Sequence, residues 1–550
     1  MLRISVSAIM SPMLLAVPLV LALTQLPQQP RLAVVISIDQ FRADYLLRFQ
    51  DLYLPANSKA GVGGFNYLLK HGANYVNAAY THIPTETGPG HAVIGTGGSP
   101  ATNGIVGNEW HDRLTGKSVY CVGDPDAKDV FTKAASYSPK NLLSTTMADE
   151  LETVTGGQSK TVSLALKDRA AILMGGRRCD QVVWFEGGRF SWSTSDFYSS
   201  SSQLPSWADA MNAKKIPQAD FGRTWTSSLS SEALKRSYPS QDNAAPAAFG
   251  KTFPHKLPAN ETGFYNQWRT TPFANQFIVD TAKAAISAQR LGKDGIPDIL
   301  TLGLSCNDYT GHMFGPDSPE VLDMAVETDR SLADLFRALD KEIGLKNVLI
   351  VLTADHGVMQ IPEEMARLGL NGARVKQEEF DKVLKDRLQT DFGNQKLMSS
   401  AAEGYVYLNL TECAAAKLDP ATVRKSLKEA ALSISEVDTV LTREDFSNGI
   451  SLVSQAAKAA LKSFNLQRSP DLFVFLRQNG LISSYTGATH GSPYAYDSRV
   501  PLLFCGPGVE PGIHSDTSGP ENIAPTVCTL LRAPFPSGCL GNALRLKLER

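Results

Sequence analysis

The segment TETGPGHAVIGTG, Thr85 to Gly97, places two threonines ahead of a Gly-Pro-Gly turn, a histidine and a run of small apolar residues. Threonine before Gly-Pro is common at a helix entrance, where it serves packing. A hydroxyl at a helix N-terminus also lies in a positive field that favours an anion. The segment therefore predicts either a packed helix start or a hydroxyl placed for chemistry on an anion.

Acidic and imidazole side chains recur where apolar runs end, and such runs are typical of buried strands. A lone aspartate there is more often a helix cap, and a lone histidine is more often structural. Six together favour a metal site, because in open α/β sheets ligands bind beyond the carboxyl ends of the strands. Oxygen and nitrogen donors without thiolates suit zinc, and these side chains fill two three-ligand sites. The six residues are Asp39, Asp308, His312, Asp355, His356 and His490.

Strands and helices alternate along the sequence that must position these side chains. LAVVISIDQ predicts a buried strand, and SPKNLLSTTMADELETV predicts a helix with Ser138 as N-cap, followed by the strand KTVSLALKDR. Further helices are predicted from Pro272 to Gly292 and in SPEVLDMAVETDRSLADLFRALDKEIG, each followed by a strand. The sheet resumes at DLFVFL and RVPLLFCGPGV. This alternation predicts an α/β fold with a mostly parallel central sheet and helices on both faces.

Two stretches interrupt the alternation and are predicted as insertions in one catalytic domain covering residues 26–550. Between about residues 196 and 269 the periodicity fades while serine, proline and tryptophan accumulate, which suggests a cap. A second, mixed insertion runs from about residue 360 to 469. No internal repeat is visible.

The bulk composition limits the classes of function. The chain has 550 residues, 43% hydrophobic and 20% charged, and a formal net charge of −2. Without a block of like charges it is not expected to bind nucleic-acid polymers. None of the seven cysteines forms a CxxC pair, so a zinc-thiolate site is not supported. Cys528 and Cys539 are the most plausible disulfide pair because they lie close in sequence.

The N-terminal segment predicts export. An early cation, Arg3, precedes an apolar stretch that Pro12 and Pro18 interrupt. A spanning helix needs roughly 20 apolar residues. Residues 1–25 are therefore predicted to be a signal peptide, with an uncleaved anchor as the alternative. The mature protein is expected to be periplasmic or secreted, without a membrane span.

Five motifs in a characteristic order carry a resemblance to a known family. SIDQ, TETGPGH, SCNDYTGHMFGP, TADHG and THGSP resemble the alkaline phosphatase superfamily. They are most similar to the secreted bacterial zinc alkaline phosphatases, which are related to nucleotide pyrophosphatases/phosphodiesterases. The resemblance extends from Leu32 to about Arg532 and implies the alkaline phosphatase-like fold.

The resemblance also implies a role for each motif residue. Asp308, His312 and His490 would hold one Zn²⁺, and a second set would hold the other: Asp39, Asp355 and His356. Thr87 opens the T-x-P-x-H pattern and would be the nucleophile that forms a phosphothreonine. Thr85 is the competing hydroxyl, and His91 is expected to be structural.

The charge of the site bears on the substrate. Two Zn²⁺ with three carboxylates leave about one positive charge, which by itself suits a monoanionic diester. Lys167, Arg169 and Asn108 would bind the extra oxygens of a monoester dianion. A K-D-R turn alone is more typical of a solvated loop, but K-x-R and N-x-W elements occur in the phosphomonoesterase branch of the resembled family.

The main interpretation is therefore hydrolysis of small phosphate monoesters at two Zn²⁺ ions by an alkaline phosphatase, with a monomer slightly favoured. A phosphodiesterase or nucleotide pyrophosphatase is the alternative, if the first insertion hides an apolar slot for the second ester group. A metal-binding surface protein that has lost catalysis is the alternative from another class. A sulfatase is disfavoured, because the cysteine or serine of a C-x-P-S-R motif is missing.

Overall fold

The computed structural model describes residues 28–58, 61–113, 115–449 and 454–547. The predicted signal peptide, residues 1–25, lies outside the described residues. Within the described ranges, no helix combines the length and the apolar character that crossing a lipid bilayer requires.

A nine-stranded sheet forms the centre of the molecule. Its second to sixth strands run parallel, and the remaining pairings are antiparallel except for the parallel pair at the far edge. The prediction of a mostly parallel central sheet in an α/β fold is confirmed. Across the sheet the strands are Ser191–Ser193, Gln181–Glu186, Thr161–Ala165, Asp298–Leu304, Leu32–Ile38, Val348–Thr353, Leu502–Cys505, Ala73–Tyr75 and Gly512–His514.

The central strand Leu32–Ile38 is buried on both faces, as its unbroken apolar sequence predicts. Its even-numbered residues join one hydrophobic cluster with the helices Pro272–Gln289 and Pro319–Glu342. Ala33 and Val35 join a second cluster on the opposite face, with the helices Met147–Val154 and Ile523–Leu531. Side chains of a strand alternate between faces, so one apolar run supports helices on both sides.

Several helices and small sheets surround this core. The longer helices also include Thr87–Thr96, Asp168–Gly175, Ser206–Ala213, Cys306–Phe314, Gln377–Phe392, Pro420–Leu432 and Gln455–Ser463. Shorter helices are Tyr45–Arg48, Phe65–His71, Pro100–Asn103, Ile216–Ala219, Ser231–Leu234, Phe264–Trp268, Pro362–Arg367, Leu410–Ala415, Arg443–Ser447 and Ala495–Ser498. Two-stranded sheets pair Asn57–Ser58 with Gly61–Val62, Glu109–His111 with Ser118–Tyr120, Gly123–Lys128 with Ala135–Tyr137, Thr224–Trp225 with His255–Lys256, and Ala373–Val375 with Gly480–Ile482.

The helix predicted to begin after Ser138 begins at Met147 instead. The N-cap is Thr146, whose side chain accepts the Asp149 backbone N–H, while Asp149 accepts the Thr146 N–H at 2.8 Å. The Ser138 hydroxyl is engaged elsewhere, donating to Asp124 Oδ2 at 2.6 Å. The prediction missed this start because Ser-Pro is a weaker signal than a capping box, in which two backbone donors are satisfied reciprocally.

The sequence predicts a cap for residues 196–269. Their three tryptophans lie in the same hydrophobic cluster as the central strand. Trp207, Trp225 and Trp268 are all at most 3% exposed. The Trp225 indole N–H donates to Asp323 Oδ2 at 2.8 Å, on the long helix that covers the central sheet. Because these rings are buried, they do not line an open apolar slot.

Residues 360–469 contain much of a separate four-stranded sheet, ordered Met398–Ser400, Tyr405–Leu408, Leu472–Leu476 and Val437–Thr442. It packs with the helices Gln377–Phe392 and Pro420–Leu432 around its own hydrophobic cluster. The prediction that DLFVFL rejoins the central sheet is wrong, because this segment is the strand Leu472–Leu476. An apolar run identifies a buried strand but does not identify its partner.

All seven cysteines are free thiols, including Cys528 and Cys539. The Cys539 thiol instead contacts the Gly541 carbonyl oxygen at 3.6 Å. Proximity in sequence therefore did not identify a disulfide.

Candidate active site

Strand register aligns the chain segments that carry the predicted ligands. Ile38 pairs with Leu304, and Ser37 pairs with Thr353. Asp39 therefore leaves the sheet beside the helix Cys306–Phe314, which carries Asp308 and His312, and beside the segment holding Asp355. Residues distant in sequence meet because parallel strands end at the same edge.

The Gly-Pro-Gly turn brings the helix Thr87–Thr96 against this edge. A Cβ atom at Gly90 would lie 2.2 Å from the Asp355 carbonyl oxygen, so only glycine fits there. The backbone at Glu86 is extended and becomes helical at Thr87. Thr87 is thus the first helical residue, in the positive field of the helix N-terminus.

The Thr87 hydroxyl faces two cations. Lys167 Nζ lies 3.2 Å and Arg169 Nη2 lies 3.4 Å from Thr87 Oγ1. The Thr85 hydroxyl is occupied elsewhere, because it donates to the Ser492 carbonyl oxygen at 2.9 Å. Of these two threonines, Thr87 alone therefore meets the predicted cations.

Lys167 is a buried ion-pair partner of two predicted ligands. Its Nζ lies 2.7 Å from Asp39 Oδ2 and 2.6 Å from Asp308 Oδ2. Burial acts to lower the pKa of the Lys167 ammonium, but the two carboxylates outweigh it and raise that pKa. Burial acts to raise the pKa of Asp308, but Lys167 and His312 hold it well below its usual range. This lysine is therefore charged and compensated by carboxylates.

The three predicted imidazole ligands share one hydrogen-bonding arrangement. Nδ1 of His312, His356 and His490 bonds a backbone carbonyl oxygen, at 2.8, 2.9 and 2.7 Å respectively. A carbonyl accepts only from a protonated nitrogen, so the bond leaves Nε2 as the electron-pair donor. Burial lowers the pKa of His356 to about 3, which keeps that ring neutral. Neutral imidazoles with a fixed tautomer are suited to binding a metal.

The predicted ligands form two overlapping groups that fit divalent cations. Ligand atoms of Asp39, Asp355 and His356 lie within 4.8 Å of one another, as do those of Asp308, His356 and His490. Among the described residues, the buried atoms Asp39 Oδ1, Asp355 Oδ2 and His356 Nε2 have no hydrogen-bond partner. Buried atoms that can donate an electron pair require a compensating partner, and a metal cation provides one.

His312 belongs to neither of these two groups of ligand atoms. Its Nε2 lies 3.2 Å from Asp308 Oδ1, one helical turn away, while His356 lies close enough to both groups to belong to each. Asp39, Asp355 and His356 thus lie in one group and Asp308 and His490 in the other, and the position of His356 between the groups is visible only in three dimensions.

Asn108 and His91 both form hydrogen bonds with the first turn of the helix Thr87–Thr96. Asn108 Oδ1 accepts the Gly88 backbone N–H at 2.8 Å, which directs its amide nitrogen away from that bond. His91 Nδ1 lies 2.8 Å from the Thr87 carbonyl oxygen and 3.3 Å from Asp355 Oδ2. Both contacts orient the start of the helix.

Gln40 and Tyr120 contact the site residues and were not predicted from the sequence. Gln40 donates its backbone N–H to Asp355 Oδ1 at 3.0 Å and its side-chain amide to Asp308 Oδ1 at 2.8 Å. It therefore links the two groups, from a left-handed backbone with φ of 63°. Tyr120 donates to Asp168 at 2.5 Å and contacts Arg169 Nη1 at 3.3 Å. Only the position of Gln40 directly after Asp39 was a sequence signal.

Comparison with known families now identifies the chain. Residues 33–493 match the model of the type I phosphodiesterase / nucleotide pyrophosphatase family. The chain belongs to this family. Its relatives include the alkaline phosphatase PafA of Elizabethkingia meningoseptica, 35% identical over 94% of each chain. The alkaline phosphatase PhoV of Synechococcus elongatus is 34% identical over 94% of this chain and 92% of PhoV.

A solved structure agrees with this assignment. The crystal structure of wild-type PafA superimposes with a TM-score of 0.86 at 33% identity, covering 94% of this chain and 98% of that one. The prediction of an enzyme of the alkaline phosphatase superfamily, related to nucleotide pyrophosphatases/phosphodiesterases, is confirmed. Within the type I phosphodiesterase / nucleotide pyrophosphatase family, this chain is of the alkaline phosphatase kind.

Proposed function

We propose that the protein hydrolyses small phosphate monoesters at two Zn²⁺ ions through a phosphothreonine formed on Thr87. The observation that carries the proposal is the Thr87 hydroxyl, 3.2 Å from Lys167 and 3.4 Å from Arg169 beside two groups of buried carboxylates and imidazoles. A hydroxyl so placed meets both the anion-binding groups and the metal-ligand groups that phosphoryl transfer requires.

The two sets of ligands are those implied by the family. Asp308, His312 and His490 would hold one Zn²⁺, and Asp39, Asp355 and His356 the other. Bound zinc lowers the pKa of hydroxyl and water ligands and offsets charge on a departing oxygen. Gln40 donates hydrogen bonds to both Asp308 and Asp355, and would therefore fix the positions of the two ligand sets relative to each other.

The chemical step follows from the position of Thr87. Its Oγ1 loses the hydroxyl proton and forms a bond to phosphorus while the bond from phosphorus to the ester oxygen breaks, and the leaving group gains a proton and departs as the alcohol. Water then cleaves the phosphothreonine and releases inorganic phosphate, so that the threonine hydroxyl is restored. The helix N-terminus, worth roughly half a positive charge, stabilises the developing negative charge at this position.

Three polar side chains would match the dianionic head of a monoester. Lys167 and Arg169 approach Thr87 Oγ1 directly. The Gly88 N–H bond to Asn108 Oδ1 fixes the carboxamide so that its NH₂ group is free to donate to a phosphoryl oxygen. A diester, with one charge fewer, gains less from these donors.

A comparison of a monoester with a diester tests this proposal. We expect kcat/KM for p-nitrophenyl phosphate to exceed that for bis-p-nitrophenyl phosphate by about a hundredfold or more, a typical effect of transition-state charge stabilisation. The burial of Trp207, Trp225 and Trp268 supports this order, because these rings line no slot for a second ester. A preference for the bis-ester would assign the protein to the diesterases. Inactivity on both would favour a metal-binding protein without catalysis.

Metal removal gives a second test. We expect elemental analysis to find two Zn²⁺ per chain, and chelation to abolish monoesterase activity reversibly. Chelation should also lower Tm, because ligands that bind only the folded state stabilise it, by about 2.7 kcal/mol at a hundred times Kd. Full activity in the metal-free protein would contradict the assignment of the six ligands.

We propose further that the enzyme acts outside the cytoplasm, in the periplasm or secreted, and as a monomer. The apolar segment within residues 1–25 and the small net charge of −2 support export and a small-molecule substrate rather than a nucleic-acid polymer.

A further inference from the structure

Arg269 carries a positive charge near the site that neither the sequence motifs nor the proposed mechanism uses. It caps the C-terminal end of the short helix Phe264–Trp268 and is partly exposed. Its guanidinium carbon lies 4.1 Å from the ring centre of Tyr309 and 5.3 Å from that of Tyr265. Among the described residues no carboxylate pairs with it, and its Nε is buried without a hydrogen-bond partner.

The Tyr309 ring contacts both Arg269 and Lys167. Tyr309 directly follows Asp308 on the helix Cys306–Phe314. Lys167 Nζ lies 5.0 Å from the same ring centre and 3.2 Å from Thr87 Oγ1. Arg269 and Lys167 therefore contact the same tyrosine ring, and Lys167 in turn contacts the Thr87 hydroxyl.

The charge balance distinguishes Arg269 from the other cations here. Lys167 and Arg169 both approach Thr87 Oγ1, where the charge of the transferred phosphoryl group would compensate them. Cation–π contacts with two aromatic rings restrain the Arg269 side chain, and a guanidinium held in this way keeps its N–H groups as hydrogen-bond donors. A planar, uncompensated guanidinium is the group best suited to bidentate binding of phosphate or carboxylate.

We infer that Arg269 binds a second anionic group carried by the leaving group of the substrate. This inference rests on the proposed monoesterase activity and narrows its substrate class. The enzyme would then favour substrates whose leaving group carries a phosphate, such as the phosphoanhydride of a nucleoside 5′-diphosphate, over the monoester of the corresponding monophosphate. With a diphosphate, Thr87 Oγ1 bonds the terminal phosphorus, the bond from that phosphorus to the bridging oxygen breaks, and the nucleoside monophosphate departs. Water then releases inorganic phosphate as before.

The test compares ADP with AMP, whose leaving groups differ by the second phosphate. We expect Arg269→Met to lower the ratio of kcat/KM for ADP to that for AMP about tenfold, the usual effect of losing a charge-assisted hydrogen bond. Arg269→Gln, which also removes the charge, should lower the ratio similarly and serves if the methionine variant does not fold. Arg269→Lys, which keeps the charge, should retain most of the ratio.

Arg223 offers a matched control on the same insertion. It also stacks on an aromatic ring, 3.5 Å from the centre of Phe273, but it is already paired with Asp220 at 2.8 Å. Arg223→Met should leave the ratio unchanged. Equal losses on ADP and AMP in the Arg269 variants would overturn the inference and make Arg269 a structural clamp on Tyr309. A wild-type enzyme that cleaves only diesters would instead refute the proposed function itself.

Discussion

Replacing Thr87 with alanine should lower monoesterase kcat/KM by about 10⁴-fold or more, as expected when a covalent nucleophile is removed. Thr87→Ser keeps a hydroxyl on the same backbone and should retain activity within about a hundredfold, because only the methyl group that fixes the rotamer is lost. Steady-state rates on p-nitrophenyl phosphate measure both effects. Mass spectrometry after acid quenching should find phosphate on Thr87 in the wild type and on no residue of the alanine variant.

Thr85→Ala is the matched control. The Thr85 hydroxyl only bonds the Ser492 carbonyl oxygen, and the contact of Thr85 with His490 uses a backbone oxygen that alanine keeps. Activity should therefore fall by less than about tenfold, the effect of one ordinary hydrogen bond. Near-complete loss in Thr85→Ala together with an active Thr87→Ala would transfer the nucleophile to Thr85.

The double substitution Lys167→Ala with Arg169→Ala should separate monoesterase from diesterase activity. We expect kcat/KM for the monoester to fall by about 10³-fold and that for the diester by about tenfold, because two charged donors are matched to a dianion. Both side chains approach Thr87 Oγ1, where the transferred phosphoryl group would bind. Parallel rate measurements on p-nitrophenyl phosphate and its bis-ester give the ratio.

Lys160→Ala controls for the loss of a cation from the same strand region. Lys160 pairs with Asp294 on the surface, at the opposite end of the strand Thr161–Ala165. Lys160→Ala should change neither the monoesterase nor the diesterase rate, because an exposed ion pair contributes little to the stability of the fold. Equal losses of both activities in the Lys167/Arg169 double variant would mean that these cations hold the site together rather than recognise the dianion.

The sequence was informative wherever a local pattern determines the structure. The apolar run of Leu32–Ile38 predicted a strand buried on both faces, and its register with Asp298–Leu304 explains why Asp39 meets Asp308. Proline at the first position and a downstream glycine predicted the helix Pro272–Gln289. These signals operate over a few residues, through backbone geometry and apolar periodicity.

The two failures have different physical causes. Ser138-Pro139 carried a helix-start signal, but the capping box of Thr146 and Asp149 placed the start later. The segment Leu472–Leu476 had the pattern of a central strand and joined the smaller sheet. Local hydrogen bonds of the capping box set the helix start, whereas pairing with distant strands decided which sheet Leu472–Leu476 joins.

By itself the sequence determined the α/β class, the family and the group of side chains that end at one edge of the sheet. Those properties follow from periodicity and from motifs read in order along the chain. Only the tertiary structure decided that Lys167 pairs with Asp39 and Asp308, and that Arg269 contacts the Tyr309 ring with no carboxylate partner among the described residues. Such contacts join residues up to 141 positions apart, and side-chain pairing at that range depends on packing, which no local pattern records.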